Sequence, residues 1–321
     1  MYNRDEIQLM VQVARLYYEN DMNQEMIASR MNLTRQKVSR LLISARTLGI
    51  VRISIHDPNL YDPELAQELK AEFGLHDVIL VSSEGLENEQ LRSGIGLAAA
   101  EYLQKTLQDG QVVGLGWGRT VFATVDSLGQ AVKKQVHVVP IIGGIGNQSP
   151  FFQVNELARR LAGSLGGTYR SLYAPAFIED GAVLTSLLKT DEIAQVVALW
   201  DSLDVVIVGI GHIQFQQISA QYFADHISPP TLGHLEARGT VGDICAQFFD
   251  AAGAPVDAET GVVGIPLERL RTVPEVIAVV GGTEKPQAVL GALHGGYIKT
   301  LVTDTATAHA ILAEKRGLHE F

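Results

Sequence analysis

Apolar residues recur every three or four positions in the first part of the chain, and come in short continuous runs in the second. Spacing of three or four predicts helices with one buried face. Continuous apolar runs that alternate with helical segments predict strands buried on both faces. The change of pattern predicts an all-α domain over residues 1–57, a linker helix within 58–76 and an α/β domain over 77–321.

Three helices are predicted in the first domain. The first spans residues 5–19, the second is short and capped by Asn23, and the third runs from its cap Thr34 to Gly49. Asn32 lies in the turn before the third helix, where a left-handed backbone is required and asparagine is tolerated. The apolar stripe predicted for the first helix consists of Ile7, Met10, Val11, Ala14, Tyr17 and Tyr18.

The second and third helices have the pattern of a helix-turn-helix DNA-binding unit. Its predicted inner face consists of Ile27, Ala28, Met31, Leu33, Val38 and Leu41. Its candidate DNA-binding residues are Thr34, Arg35, Gln36, Lys37, Ser39 and Arg40. The alternative is a small helical bundle with a solvated basic face. It is disfavoured because apolar spacing, turn residue, cap and outward polar cluster all coincide here.

The third helix would enter the major groove with its N-terminal half facing the base edges. There Arg35 and Arg40 can each donate two hydrogen bonds to guanine, and Gln36 can pair in the same way with adenine. Lys37 and Arg46 are assigned to phosphates, which fix the register on the duplex.

A short strand is predicted after the third helix, because Val51, Ile53 and Ile55 alternate with polar residues. Such a strand is compatible with a wing beside the helix pair. Arg52 on this strand would then hold a further phosphate.

Charge is divided unevenly along the chain. The whole chain has 25 Lys and Arg against 36 Asp and Glu, a net charge of −11. Residues 1–57 carry eight basic and six acidic residues, net +2, so the remainder carries −13. A basic end on an acidic chain is the balance expected when only that end meets the phosphate backbone.

Composition places the chain among globular proteins. Its 321 residues, 46% hydrophobic and 19% charged, suffice for two domains with sizeable cores. The single cysteine, Cys245, excludes an intrachain disulfide and fits a reducing cytoplasm. The chain shows no leader and no apolar run of spanning length, so we expect a cytoplasmic protein without a membrane partner.

The second domain is predicted to be α/β, with a mostly parallel sheet covered by helices on both faces. Its candidate strands are residues 78–81, 112–115, 136–142, 205–210, 262–265, 276–280 and 301–303. Its candidate helices are residues 87–107, 121–128, 154–165, 191–199, 287–293 and 305–315. An amphipathic helix at 63–73 is assigned to the linker and to a dimer contact.

Several predicted strands run directly into glycines, in GLGWGRT at 114–120, GGIGN at 143–147, GIGH at 209–212 and GGTEK at 281–285. In an open parallel sheet these are the carboxyl ends of strands, where the ligand crevice forms. Glycines there let backbone N–H groups approach an anion, and the next helix adds its positive end. Simple chain reversal explains any one such loop, but four on one sheet edge favour an anionic small-molecule site.

Residues 116–120 give the strongest signal, because they offer backbone amides, a guanidinium and a hydroxyl in succession. They form neither a GxGxxG nor a Walker A motif, so dinucleotide and ATP binding are disfavoured. Lys285 would complete an anion cage or, alternatively, be a solvated surface lysine. Asp243 would accept from sugar hydroxyls or, alternatively, cap a helix. The effector-binding candidates are Gly116, Gly118, Arg119, Thr120, Gly144, Asn147, Asp243 and Lys285.

No catalytic or metal site is predicted. None of the nine histidines stands in an HExxH motif or in a closely spaced pair. A GxSxG nucleophile elbow is also absent. We therefore predict no cofactor and no metal.

Both domains resemble the SorC (sorbitol-operon regulator) family of sugar-responsive bacterial regulators. In the first domain the matching stretches are YYEN at 17–20, QEMIASRMNLTRQKVSRLL at 24–42 and ARTLGIV at 45–51. In the second they are GWGRT at 116–120, IGG at 142–144, DVVIVGIG at 204–211, VGDI at 241–244, GGTEKPQAVLGALHGG at 281–296 and LVTDTATA at 301–308. Asn32 stands where glycine is more usual, His294 where arginine is, and Thr305 where an acid is.

The resemblance implies a second domain similar to sugar-phosphate isomerases and deaminases, binding a sugar or sugar phosphate that controls DNA binding. It implies that Gly118, Arg119 and Thr120 meet the phosphate. It also implies that Asp243 and Lys285 contact the sugar or its phosphate.

These features predict a DNA-binding transcriptional regulator of a carbohydrate-utilisation operon, controlled by a sugar or sugar-phosphate effector. The alternative is a sugar-phosphate isomerase or deaminase-like enzyme with an appended helix-turn-helix. Such an enzyme needs a general base near the sugar, for which Asp243 and Lys285 are the only candidates. A module of net charge +2 binds DNA weakly as a single copy, which predicts a homo-oligomer on a double-stranded operator. That oligomer is a dimer or a tetramer, and the resemblance implies the tetramer.

Overall fold

The computed structural model describes residues 4–48, 50–51, 62–129, 133–146, 151, 153–213 and 227–317. The chain forms two compact units, Met1–Asp57 and Pro58–Phe321. Gly49, Asn147 and the predicted wing beyond Val51, with its Arg52, lie outside the described residues. No helix among those that are described has the length and apolar character to span a membrane.

Where the structure describes it, the first unit consists of three helices, α1 (Arg4–Tyr18), α2 (Gln24–Met31) and α3 (Arg35–Thr47). They enclose one core, made of Met10, Val13, Ala14, Ile27, Ala28, Val38, Leu41, Leu42 and Ala45. The predicted inner face of the helix pair is therefore confirmed, with Met31 and Leu33 partly buried beside it.

The stripe predicted for α1 is right at its centre and wrong on one flank. Met10 and Ala14 are buried as predicted, but Ile7 and Tyr18 are exposed. Val13, which the pattern does not single out, is fully buried. At about 100° of rotation per residue, the buried stripe is turned by about 50° from the predicted one. Periodicity identifies which residues of α1 are apolar. Which of them are buried depends on where α3 packs, and α3 packs against only part of the apolar face.

Polar side chains and one left-handed residue fix the ends of α2 and α3. Asn23 Oδ1 accepts a hydrogen bond from the Met26 amide at 2.9 Å, and Thr34 Oγ1 accepts one from the Lys37 amide at 3.2 Å. Both predicted caps are thus present. Asn32 ends α2 with φ 54° and ψ 45°, the left-handed conformation that its place in the turn predicts.

Asn32→Ala is expected to lower the free energy of unfolding of the first unit by about 1 kcal/mol, because the left-handed region is costly for alanine. Asn32→Gly is the matched control, since glycine adopts this conformation without a steric cost. Hydrogen exchange of the α2 and α3 amides in the full chain measures both effects. Equal losses of protection in the two variants would contradict this explanation.

The described residues of the second unit form three sheets. Its strands are β1 (Asp77–Val81), β2 (Val112–Leu115), β3 (His137–Pro140), β4 (Thr168–Tyr169), β5 (Phe177–Ile178), β6 (Val205–Val208), β7 (Gly211–His212), β8 (Thr240–Ile244), β9 (Gln247–Asp250), β10 (Pro255–Val256), β11 (Gly261–Val262), β12 (Glu275–Val279) and β13 (Thr300–Asp304). The main sheet has seven parallel strands in the order β1-β13-β12-β6-β2-β3-β4.

Helices cover both faces of this sheet. The described helices of the second unit, not all of which lie on this sheet, are α4 (Pro63–Phe73), α5 (Asn88–Thr106), α6 (Arg119–Ser127), α7 (Val154–Leu165), α8 (Gly181–Leu188), α9 (Asp191–Ala198), α10 (Pro229–Ala237), α11 (Leu267–Thr272), α12 (Pro286–His294) and α13 (Thr305–Lys315). Along β6, Val206 and Val208 lie in one hydrophobic core, whereas Val205 and Ile207 lie in the other. The predicted parallel sheet buried on both faces is therefore confirmed.

The helix predicted as a linker is α4. Leu65, Ala66 and Leu69 on its apolar face lie in a core of the second unit, with the strand residues that α4 covers. The structure therefore places this helix within the second unit, and its role as a dimer contact stays a prediction.

One predicted strand is wrong, and both smaller sheets are missing from the prediction. Residues 262–265 do not form a strand of the main sheet, since Gly261–Val262 pairs antiparallel with β5 and Gly264 forms only an isolated antiparallel bridge with Ile142. The larger missed sheet is antiparallel, with strand order β10-β9-β8-β7. Its central turn, between β8 and β9, has positive φ at Cys245 and Ala246, 53° and 58°. Glycine or asparagine normally signals such a turn, and neither is present.

Candidate functional site

The four glycine-rich loops follow four neighbouring strands of the main sheet, β12, β6, β2 and β3, at their carboxyl ends. This confirms their predicted placement on one sheet edge. After β2 the chain adds β3 and β4 on one side, whereas after β6 it adds β12 and β13 on the other. The reversal of strand order makes the carboxyl ends of β2 and β6 a topological switch point, where open α/β sheets bind ligands.

Two backbone amides that the sequence assigns to an anion, those of Gly116 and Gly118, donate hydrogen bonds within the protein. The Gly116 N–H donates to the Ile207 carbonyl at 2.9 Å, and the Gly118 N–H donates to the Phe151 carbonyl at 3.1 Å. These two amides therefore have acceptors within the protein, and the assignment of Gly116 and Gly118 to the effector stays a prediction. The two glycines also have steric roles. A Cβ on Gly116 would lie 3.0 Å from Cys245 Sγ, and Gly118 has φ 127°.

The first turn of α6 supplies the amides that an anion needs at this position. The helix begins at Arg119, directly after the Gly118 cap, which has no side chain. The amides of Thr120 and Val121 lie in the first turn, where the helix itself offers no acceptor. An anion there also interacts favourably with the positive end of the helix.

Gly144 lies on the same sheet edge, but its amide donates to the Ala174 carbonyl at 2.9 Å. No heavy atom lies within 4 Å of the position that a Cβ on Gly144 would take. The contribution of Gly144 to ligand binding therefore stays a prediction. What supports it is the open space beside the Gly144 Cα, since its amide already donates within the protein.

Asp243 is a buried carboxylate, and only one of its two oxygens accepts a hydrogen bond from the described residues. It lies on β8, directly opposite Gly211 of β7, and is 6% exposed. Its Oδ2 accepts from the Ala246 amide at 3.0 Å, whereas Oδ1 is buried and has no hydrogen-bond partner among the residues that the structure describes. A Cβ on Gly211 would lie only 1.9 Å from Oδ1, so glycine is required there. The alternative prediction of a helix cap is wrong, because Asp243 is in a strand.

Burial raises the pKa of Asp243 from 3.8 to about 6. The Ala246 hydrogen bond and the positive charge of Lys285 act in the opposite direction and do not cancel it. A buried acceptor without a partner costs free energy unless a ligand satisfies it. Oδ1 of Asp243 is therefore placed to accept from a ligand donor such as a hydroxyl.

Lys285 precedes α12 and donates from Nζ to the Ile210 carbonyl at 3.0 Å, just beyond β6. The pKa of Lys285 is lowered from its usual value, chiefly by burial, although the charges of Glu284 and Asp243 act to raise it. Asp243 and Lys285 influence each other's pKa through their charges. An ammonium group has three N–H donors, and among the described residues only the Ile210 carbonyl accepts from Nζ, which leaves two donors for a ligand.

His212 belongs to this site, although its only distinction in the sequence is its place after the GIG of GIGH. Burial is the main cause that lowers its pKa from 6.5 to about 4, with the charge of Lys285 next. It is therefore neutral at pH 7, with one nitrogen that donates and one that accepts. We call Arg119, Thr120, His212, Asp243 and Lys285 the switch-point site.

The charges of the switch-point site act on one another. Arg119, Arg92 of α5 and Glu284 all influence the pKa of Lys285, together with Asp243. Three cations thus face two carboxylates within electrostatic range. This excess of positive charge, the α6 N-terminus and the unsatisfied Oδ1 suit a ligand with an anionic end and a hydroxylated body.

The exposed side of α3 is the second candidate site. Thr34, Arg35, Gln36, Lys37 and Arg40 are exposed, and Ser39 is partly exposed. Relative to the buried stripe, Gln36 and Arg40 lie on the opposite side, whereas Lys37 lies on a flank.

Arg35 differs from the other candidates on α3. It lies about 110° from the outward direction of the helix. Its Nη1 is 3.4 Å from Glu25 Oε1 on α2, in an exposed ion pair. Gln36 and Arg40 therefore have the more outward positions for reading bases, and the predicted contact of Arg35 with a base stays a prediction.

Comparison with known proteins covers nearly the whole chain. Residues 58–313 match the family described as "Putative sugar-binding domain". The chain is 36% identical to the sorbitol operon regulator of Klebsiella pneumoniae, over 97% of this chain and 100% of that one. It is 29% identical to the deoxyribonucleoside regulator of Bacillus subtilis, over 97% and 99% of the two chains.

Solved structures show the same similarity. The crystal structure of full-length SorC from Klebsiella pneumoniae superposes with a TM-score of 0.75 at 36% identity, over 97% of this chain and 100% of that one. A probable sor operon regulator from Shigella flexneri gives a TM-score of 0.72 at 33% identity, over 78% and 100%.

Proposed function

This chain belongs to the SorC family of sugar-binding transcriptional regulators, and we propose that it controls a carbohydrate-utilisation operon. An effector sugar or sugar phosphate would bind in the second unit and change the affinity of the first unit for operator DNA. The observation that carries the proposal is the unsatisfied Asp243 Oδ1 beside Lys285 at the topological switch point. A regulator that binds chromosomal DNA would act in the cytoplasm.

Each residue of the switch-point site has a role in the proposal. The first-turn amides of α6, the Arg119 guanidinium and the Thr120 hydroxyl bind the anionic end of the effector. Asp243 accepts from a hydroxyl of its body, Lys285 donates to an oxygen, and neutral His212 fixes the orientation. Gly144 and Asn147 are assigned to the same ligand, as the sequence predicts.

An enzyme is the second candidate, because a carboxylate with a pKa of about 6 is what a general base near neutral pH requires. Relatives over the full length of the chain are named as regulators, which favours binding without turnover. NMR of a bound sugar phosphate distinguishes the two functions. Conversion of the ligand during prolonged incubation would favour the enzyme.

The proposed partner is double-stranded operator DNA, bound by a dimer or tetramer of this chain. Phosphate contacts supply most non-specific affinity, and one copy of a module with net charge +2 has few of them. Two recognition helices related by symmetry would bind the two halves of a pseudo-palindromic operator.

A thermal-shift screen of the full chain against sugars and sugar phosphates tests the effector class. A ligand that binds only the folded state at about 100 times its Kd stabilises it by about 2.7 kcal/mol. We expect one sugar phosphate to raise Tm and its free sugar to raise it less, because the α6 N-terminus and Arg119 bind the anion. If no sugar or sugar phosphate raises Tm, the proposed effector class is wrong.

A further inference from the structure

Ile43 is an exposed apolar side chain on the outward face of α3. The helix buries Val38, Leu41, Leu42 and Ala45 on one side. At about 100° per residue, the residues within about 30° of the opposite direction are Gln36, Arg40, Ile43 and Thr47. Ile43 is 51% exposed. A single exposed isoleucine is ordinary on a protein surface, but this one lies between residues that would face the DNA bases.

The surroundings of Ile43 suit DNA better than a second protein chain. Lys37 and Arg46 are exposed on the two flanks of α3, about 90° from its outward direction, where phosphates would lie. Thr47 Oγ1 donates to the Ile43 carbonyl at 3.0 Å, so this neighbouring hydroxyl is already satisfied within the helix. An apolar centre between basic flanks is complementary to a major groove, because both walls of the groove are anionic.

We propose that Ile43 contacts the 5-methyl group of a thymine in the operator, and that this apolar contact helps to set the sequence the protein selects. Thymine alone among the four bases offers a methyl group in the major groove. Ile43 lies about 10 Å along the helix from Gln36, so its thymine would be about three base pairs from the base that Gln36 meets. The inference rests on the proposed DNA-binding function and adds a residue to it.

Uracil in place of thymine tests this contact, because it removes only the methyl group. The full-length protein is first used to select its binding sequence from a random duplex library. The best duplex is then remade with deoxyuridine at one thymine at a time. We expect one thymine per half-site whose replacement weakens wild-type binding about fourfold, the effect of exposing one buried methyl-sized group.

Two variants make the test specific to Ile43. Ile43→Ala should bind the thymine duplex more weakly and lose all discrimination between thymine and deoxyuridine at that position. Ile7→Ala is the matched control, since Ile7 is also an exposed isoleucine of the first unit, 42% exposed, but lies on α1. It should keep the wild-type discrimination.

The outcomes separate this inference from the proposed function. If wild type binds its selected duplex but tolerates deoxyuridine at every position, Ile43 reads no methyl group, although DNA binding stands. The inference is equally wrong if Ile43→Ala keeps the discrimination, or if sedimentation shows that it alters the oligomeric state instead. If wild type selects no sequence at all, the proposed function fails and the inference fails with it.

Discussion

Asp243→Asn is expected to weaken effector binding roughly 10- to 150-fold, because a hydrogen bond to a charged acceptor contributes about 1.5–3 kcal/mol. The variant keeps an oxygen that can accept from the Ala246 amide, as Asp243 Oδ2 does in the wild type. It presents a neutral amide in place of the unsatisfied Oδ1. Calorimetric titration with the sugar phosphate found by thermal shift measures the loss.

The same variant should change how stability depends on pH. The folded-state pKa of Asp243 is about 6, against 3.8 when unfolded. Its contribution to stability is therefore fully present below pH 3.8 and is lost as pH rises through 6. The loss is about 3 kcal/mol by about pH 7.5, at about 1.4 kcal/mol per pKa unit. The side-chain amide that Asp243→Asn introduces does not titrate, so this loss should be absent from the variant.

Urea unfolding of the effector-free chain between about pH 4 and pH 7.5 measures this difference. The free energy of unfolding of Asp243→Asn relative to wild type should rise across the range. Glu236→Gln is the control, because Glu236 is an exposed carboxylate on α10 of the same unit. Parallel curves for wild type and Asp243→Asn would show that Asp243 is not a buried charge.

Arg40→Ala is expected to weaken operator binding at least about 30-fold. A bidentate contact to a base is worth about 1–3 kcal/mol, and a symmetric complex loses two of them. Specificity at one base position should relax as well. Effector-induced stabilisation should stay as in wild type, because the change lies in the other unit.

Lys37→Ala is the matched control for Arg40→Ala. It removes one basic residue from the flank of α3, and should weaken binding evenly for all sequences while lowering the salt dependence by about one phosphate contact. Quantitative gel shifts at several salt concentrations distinguish the two patterns. If Arg40→Ala binds the operator as well as wild type does, α3 is not the helix that reads the bases.

Local patterns in the sequence predict the fold well, because they depend on neighbouring residues alone. The caps Asn23 and Thr34, the left-handed Asn32 and the glycine-ended parallel strands are all of this kind. Prediction fails where the outcome depends on a distant partner. The exposure of Ile7 and Tyr18 depends on where α3 packs, which periodicity does not encode.

The candidate site shows the same division. The placement of the four loops on one edge follows from parallel strands. Whether each loop amide already donates a hydrogen bond within the protein does not follow from the sequence. Gly116 and Gly118 donate to Ile207 and Phe151, partners 91 and 33 positions away in the chain. His212 and Asp243 come together because β7 pairs with β8, and these strands are separated by a long segment that contains α10.

Operator affinity measured with and without effector, in wild type and in Asp243→Asn, tests the central claim most directly. The claim is that a ligand in the switch-point site controls DNA binding by the first unit. We expect the effector to change the wild-type Kd for operator about 5- to 150-fold. The variant should bind effector-free operator normally and respond only at roughly 10- to 150-fold higher effector concentration. A wild-type Kd that the effector leaves unchanged, or a variant that responds at the wild-type concentration, would contradict the claim.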